Sequence, residues 1–437
     1  MELVKLERDE FENFVKNHEQ SSFYQTYEWG ELKQENGWDM HLVGLKDNDE
    51  IKAASLILSK DTPIRKKMFY APRGFIIDYK NYDLLKEFTD KVKKYVKREK
   101  GIFIKIDPYI SYQERDLHGN VVENGENNKD CFDNLIKLGY KHFGFNIYQE
   151  ALQPRWLFVT ETKNTTVEDV MKNMDSKTRQ ILRKNERLGI VTREIGYDEL
   201  DKFKDIMQHT GDRRDFIDRP LKYYQDMYNH LHESGILKIL VAELDTDLSI
   251  KNMDKEILEI KLDMQTRESK YLKDPGKMNK NKYEQKQKEC ENNINRINKN
   301  KEHILDLRNE YGDNILLGGI LFLISNNEVL SLVGGSYDKL MEFQSAYTVH
   351  FAGMKYAIKN NFDRYNFYGI TGDFDEEKNP LFGLYSFKRD FGGQVVELIG
   401  EFDIVVNKFF FLVYKVAFKT YKTLKNIKNK LRQNKGY

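Results

Sequence analysis

Apolar residues recur along the first 150 positions in two rhythms. Residues 10–16 and 28–35 carry them at helical spacing, and Leu84, Leu85, Phe88, Val92, Tyr95 and Val96 mark a longer helix over 84–97. Short β-rich runs at 41–45 and 52–58 flank a turn-like stretch, which predicts a hairpin. Residues 102–106 read as a buried strand stopped by Asp107-Pro108, followed by a helix around 131–138 and a strand around 143–148. The next block repeats the order. Helices are expected over 166–174, 177–187, 197–210, 221–234 and 343–359, and strands over 189–195, 236–242, 316–324, 329–335 and 364–367. No repeated sequence accompanies this repeated order, so the pattern predicts two similar α/β domains.

A polar stretch, 243–313, interrupts the second block. Met253, Ile257, Ile260 and Met264 follow a heptad seam, Asp274-Pro275-Gly276 breaks it, and Cys290, Ile294, Ile297, Lys301 and Ile304 resume it. The spacing predicts an antiparallel helical hairpin, a coiled coil with arms of about 40 Å. Such an arm is expected to touch a large partner or a second copy in a homodimer. The expected boundaries are 1–150 for the first domain, completed by about 393–407, then 151–243 with 314–392 for the second. The hairpin is 244–313 and a basic amphipathic C-terminal helix is 408–437.

Composition narrows the class. With 437 residues, 40% of them apolar, the chain can build about three structural units. Residues 1–9 alternate charged and apolar positions, unlike a secretory signal. Two distant cysteines, Cys131 and Cys290, exclude a disulfide framework and suit a reducing, cytoplasmic setting. The net charge of +1 hides an asymmetry: 408–437 holds nine basic residues and no acidic one, leaving 62 basic against 70 acidic residues elsewhere. Phe409, Leu412, Val413, Val416, Thr420, Leu424, Ile427 and Leu431 lie near one face of that segment, as in an interfacial helix. Peripheral contact with an anionic membrane is therefore expected, with packing on the body or contact with RNA as alternatives.

Few motifs carry chemistry. The histidines show no metal-ligand spacing, and no nucleophile elbow, Walker loop or dinucleotide fingerprint is present, so no metal or cofactor is expected. The nearest approach to a coenzyme A pyrophosphate loop, Arg389 to Gln394, fails at its last position. Lys177, Arg179, Arg183, Lys184 and Arg187 crowd one helix, with Asp175 or Ser176 as N-cap. Positions 179, 183 and 187 share a face, which suits phosphates or is simply a solvated surface. Residues 212–220, rich in Arg and Asp and followed by Tyr223 and Tyr224, suit a sugar phosphate or pin a loop. Gly318-Gly319 and Gly334-Gly335 read as bulges or as close approaches to a ligand.

Several stretches resemble the FemABX family. They include Gln25 to Lys33 with Gly37-Trp38, Tyr70 to Gly74, Ile106 to Pro108, Lys177 to Gly189, Arg219 to Tyr223 and Gly334 to Ser336. The most specific run is Tyr365 to Ile370 through Gly383 to Gly393, ending at Glu397 and Gly400 to Asp403. The resemblance covers about residues 20–405 in order. It implies two GNAT-like domains and transfer of an amino acid from aminoacyl-tRNA to a stem-peptide amine of a peptidoglycan precursor, either lipid II or UDP-MurNAc-pentapeptide. Residue by residue, it implies that Lys33 and Arg219 hold the precursor's pyrophosphate, with Tyr223 beside them. Arg73, Gly334, Gly335 and Ser336 fall on the substrate side, and the basic row 177–187 meets tRNA. Lys388 is the expected catalytic cation. Asp107 is a candidate base, against the alternative of a strand-end Asp that fixes a turn. Two positions depart from the family pattern: Phe75 after Arg73-Gly74, and Val333 before Gly334. A GNAT-like transferase with another acyl donor and a non-catalytic coiled-coil scaffold remain alternatives.

Overall fold

A computed structural model describes residues 1–418 apart from 17, 149–151, 215, 275–278 and 326. The chain opens with β1 (Glu2–Lys5), α1 (Arg8–Lys16), α2 (Tyr27–Glu35), β2 (Asp39–Asp47), β3 (Glu50–Asp61), β4 (Lys67–Ala71), α3 (Tyr82–Arg98) and β5 (Gly101–Ile106). Next come β6 (Ser111–Glu114), α4 (Lys129–Lys137), β7 (Lys141–His142), β8 (Trp156–Glu161), α5 (Val167–Asn173), α6 (Ser176–Arg187) and β9 (Ile190–Glu194). Then follow α7 (Leu200–Arg214), α8 (Leu221–Leu231), β10 (Leu237–Asp245), α9 (Thr246–Lys273), α10 (Lys280–Tyr311), β11 (Asn314–Ile324) and β12 (Glu328–Ser336). The last elements are α11 (Ser345–Lys359), β13 (Arg364–Gly369), α12 (Phe382–Arg389), β14 (Gln394–Leu398) and β15 (Phe402–Val405).

Helix starts follow local chemistry. Asn81 caps α3 by accepting from the Leu84 N–H, Thr166 and Asp169 form a capping box on α5, and Asp175 caps α6. The strands build two mixed sheets, β1-β2-β3-β4-β5-β15-β7 and β6-β14-β8-β13-β12-β11-β10-β9. Each sheet has one parallel pair, β4–β5 in the first and β12–β13 in the second, with every other pairing antiparallel. The fold is thus two α/β units, each built on a mixed sheet with a single parallel pair.

Three assignments differ from the sequence reading. Of the stretch 393–407, only β15 joins the first sheet, while β14 pairs with β8 and β6 in the second. β6 likewise leaves the block that precedes it. The strand expected over 143–148 is confined to Lys141–His142, and Phe143, Phe145 and Ile147 beyond it are exposed. Alternation of apolar residues signals a strand but does not choose its partner.

One hydrophobic cluster joins the two units. Phe11, Trp29, Leu42 and Leu56 of the first pack with Phe203, Tyr224, Met227 and Leu321 of the second. The inserted helices α9 and α10 pair as the seam predicts, with Met253, Ile297 and Ile304 buried between them and the body. Tyr271 stacks on Tyr283 near the far end, and Lys301 pairs with Asp254 at 2.6 Å. Cys131 and Cys290 are free thiols. A helix at 408–418 lies on the first sheet, with Phe411 buried against Phe103 and with Phe410 and Tyr414 beside it. The rest of the expected tail helix, 419–437, lies outside the described residues.

Candidate active site

α2 of the first unit packs against α8 of the second. Lys33, in the last turn of α2, extends over Trp29, its Nζ 4.1 Å from the ring centroid. Burial lowers its pKa to about 8, and the positive charges of Arg219 and Lys60 add to the effect. Arg219, just before α8, stands over Tyr223 at 5.4 Å. Its loop is anchored by neighbouring Asp218, which accepts from Tyr224 Oη at 2.6 Å and pairs with Lys204 at 2.6 Å. Lys33 and Arg219 thus raise the positive potential of one locality, beside aromatic rings and without an acidic partner at either head group among the described residues. Such a locality suits a polyanion. Lys60 is a third cation that the sequence did not mark, because a lysine near a strand end reads as a solvated terminus. It leans on Trp38 at 5.4 Å.

Arg73 and Asp107 are placed differently from expectation. Both are nearly fully buried. The Arg73 N–H donates to Asp107 Oδ1 at 2.8 Å, Arg73 Nη1 lies 3.6 Å from Oδ2, and the guanidinium donates to Pro154 O at 3.3 Å. Burial raises the Asp107 pKa to about 6 against the pull of Arg73. A carboxylate in this position fixes the β4–β5 end and the junction to the second unit. The Arg73 guanidinium thus ties the first unit to Pro154 at the junction.

The glycines at 334 and 335 also have a packing reason. A Cβ on Gly335 would fall 2.2 Å from Thr210 Oγ1, and one on Gly334 would fall 2.6 Å from an Ile320 side-chain carbon. The Ser336 N–H donates to Thr210 Oγ1 at 3.1 Å. Gly335 and Ser336 let α7 approach β12 closely, while Gly334 packs against Ile320 on β11. Gly392 and Gly393 are packed likewise, an added Cβ falling 2.6 Å from Asn173 O and 2.3 Å from Val159 O respectively. In the basic row, Arg179 donates to the carbonyls of Met171, Lys172 and Met174 and so closes the C-terminal end of α5. Lys177, Arg183, Lys184 and Arg187 are exposed, with Arg187 facing Glu256 at 4.0 Å.

Lys388, on α12, lies beneath the end of β13. Its Nζ is buried and donates to Phe367 O and Gly369 O, each at 2.7 Å. Burial lowers its pKa to about 7. The two carbonyls flank Tyr368, whose backbone takes the left-handed φ of 65°. β12 and β13 pair only from Glu328↔Arg364 to Leu330↔Asn366, although both strands run on. Beyond that point their pairing stops, leaving a notch between the strand ends, and Val333 and Tyr368 of these ends pack against the cluster shared by the two units. The matching end of β4–β5 in the first unit is closed by Arg73 and Asp107. The notch is therefore in the second unit, near Tyr223 on α8.

A polar network missed by sequence reasoning supports this region. Tyr109 donates to Glu328, which also accepts from Arg364 and Asn366, and the Tyr368 hydroxyl meets Tyr24 Oη at 2.9 Å. Isolated tyrosines and one Glu on a strand leave no spacing signal.

The FemAB family model matches residues 6–419. The aminoacyltransferase FemA of Staphylococcus epidermidis (strain RP62A) is 32% identical over 435 residues, covering 98% of this chain and 100% of that one. The aminoacyltransferase FemA of Staphylococcus aureus (strain MRSA252) is 30% identical over 440 residues, covering 99% and 100%. A crystal structure of FemX superimposes with a TM-score of 0.82 at 25% identity, covering 94% of this chain and 99% of that one.

Proposed function

Since the chain belongs to the FemAB family and is an aminoacyltransferase of peptidoglycan bridge synthesis, we propose that it joins an aminoacyl-tRNA ester in the β12–β13 notch to an acceptor held by Lys33 and Arg219. The observation that supports this most strongly is the pairing of those two cations across the boundary between units. Lys33, Arg219 and Tyr223 grip the precursor's pyrophosphate. The stem-peptide amine attacks the ester carbonyl, the C–N bond forms, and the C–O bond to the terminal ribose breaks. The amine's proton leaves with the ribose hydroxyl. An ester meeting an amine needs little acid–base help, and holding the two together supplies about 7–11 kcal/mol of the barrier. The exposed residues Lys177, Arg183, Lys184 and Arg187 contact tRNA phosphates.

The acceptor is lipid-linked in this reading. The helix at 408–418 turns Phe409 and Leu412 outward, 70% and 65% exposed, with exposed Lys408 and Lys415 beside them. It is one residue pair from the cations: Tyr414 Oη lies 3.8 Å from Met68 Sδ, and Met68 is opposite Lys60 across β3–β4. A membrane under this helix brings a lipid pyrophosphate to the site. The test is a transfer assay that offers lipid II and UDP-MurNAc-pentapeptide separately, with individually charged tRNAs. Transfer to the lipid-linked acceptor supports the reading, transfer only to the nucleotide-linked one removes the membrane part, and no transfer to either removes the whole.

A further inference from the structure

Among the described residues, nine non-glycine positions have positive φ, and Tyr368 is the only aromatic one. A bulky residue in this region is strained, and such strain persists only where surrounding contacts over-determine it. Here they do so from three directions. The Tyr368 N–H donates to Asn366 Oδ1 at 2.7 Å. Lys388 holds the carbonyls on either side, at 2.7 Å each. The phenol donates to Gln153 Oε1 at 2.6 Å and shares its oxygen with Tyr24 Oη at 2.9 Å. The pairing of β13 with β8 slips at this point, between Asn366 and Gly369.

These contacts run in one line from the second unit into the first. Tyr24 meets Trp29 edge-to-face with centroids 5.2 Å apart, and Trp29 carries Lys33 on its ring. Among the described residues Lys388 has no ion-pair partner, and its hydrogen bonds there go to those two carbonyls. Even a neutral amine keeps two N–H donors, enough for both.

We infer that Tyr368 is a positioning residue that sets the donor notch in register with the acceptor cations, and that Lys388 acts on transfer through it, by holding its strained backbone. The inference rests on the acyl-transfer reading above and adds to it a residue and a route. Because both of these hydrogen bonds go to backbone beside Tyr368, Lys388 is a positioning residue as well in this inference.

The experiment compares wild type, Tyr368→Phe, Lys388→Met and the double variant, each checked for folding by circular dichroism. In transfer kinetics, each single change should lower kcat at least about tenfold with acceptor KM nearly unchanged, because misregistry costs rate and not binding. The double variant should be no slower than the slower single one. Additive losses, or a Tyr368→Phe enzyme at the wild-type rate, overturn the inference. Hydrogen exchange supplies a readout without turnover. Lys388→Met should speed exchange over residues 23–29, which Lys388 does not touch, and unchanged protection there also overturns it. A wild-type protein that transfers to no acceptor while this exchange effect is present would sink the functional reading alone.

Discussion

The Arg73 backbone N–H donates to Asp107 Oδ1 at 2.8 Å while the Arg73 guanidinium lies 3.6 Å from Oδ2, so one carboxylate binds both ends of the same residue. Asp107→Asn preserves an acceptor for the N–H and should keep kcat within about threefold of wild type. Asp107→Ala strands the buried guanidinium and should lose about 3–5 kcal/mol of stability by denaturant unfolding. A folded Asp107→Asn enzyme with kcat reduced a thousandfold would instead assign Asp107 the general-base role.

Lys33 predicts a pH dependence in binding. Its cation is the binding form, and with a pKa of about 8 it is lost as pH rises through that value. Acceptor KM should therefore climb above pH 8. Lys33→Arg should flatten the climb, since a guanidinium stays charged there. Arg219→Ala should raise acceptor KM more than it lowers kcat. Steady-state kinetics over roughly pH 6.5 to 9 decides both.

Lys388 predicts a pH dependence in stability with a definite sign. Its pKa falls from 10.5 in the free side chain to about 7 in the fold. Between those values the unfolded chain binds more protons than the native one, so the contribution to stability rises with pH. The unfolding free energy of wild type relative to Lys388→Met should increase from pH 7 to pH 9.5, roughly the span accessible below the free value. A flat or falling difference would show that Lys388 is not buried as described.

The basic row should divide by role. Arg179→Ala removes the closure of α5 and should lower the melting temperature while leaving RNA affinity intact. Arg183→Glu with Lys184→Glu should weaken tRNA binding and reduce its salt slope by about 0.7 per lost phosphate contact if the contacted strand is single. Filter binding over a salt series reads this directly. Equal salt slopes would take the tRNA away from this face.

The outward residues of the 408–418 helix allow a membrane test that spares the core. Phe409→Ser with Leu412→Ser leaves Phe411 seated on Phe103 and should abolish sedimentation with anionic vesicles at unchanged melting temperature. Vesicle binding that survives the double change would remove this helix as the membrane contact.

What was legible in the residues alone was local or ordered along the chain. The Met253 to Ile304 seam, the Asp175 cap and the hairpin at 41–58 are set by spacing over a few positions, where backbone geometry dictates which side chains share a face. The ordered FemABX-like stretches likewise pointed to the family and its aminoacyl transfer, and drew attention to Lys33, Arg219 and Lys388. Tertiary structure decided everything that depends on partners far along the chain. It sent β14 to one sheet and β15 to the other, added Lys60 to the cation group, and gave Arg179 and Gly335 packing tasks. It also set Lys388 beneath Tyr368. The physical reason is that a buried polar group must find its hydrogen-bond partner wherever the fold supplies one, and no periodicity in sequence records that choice.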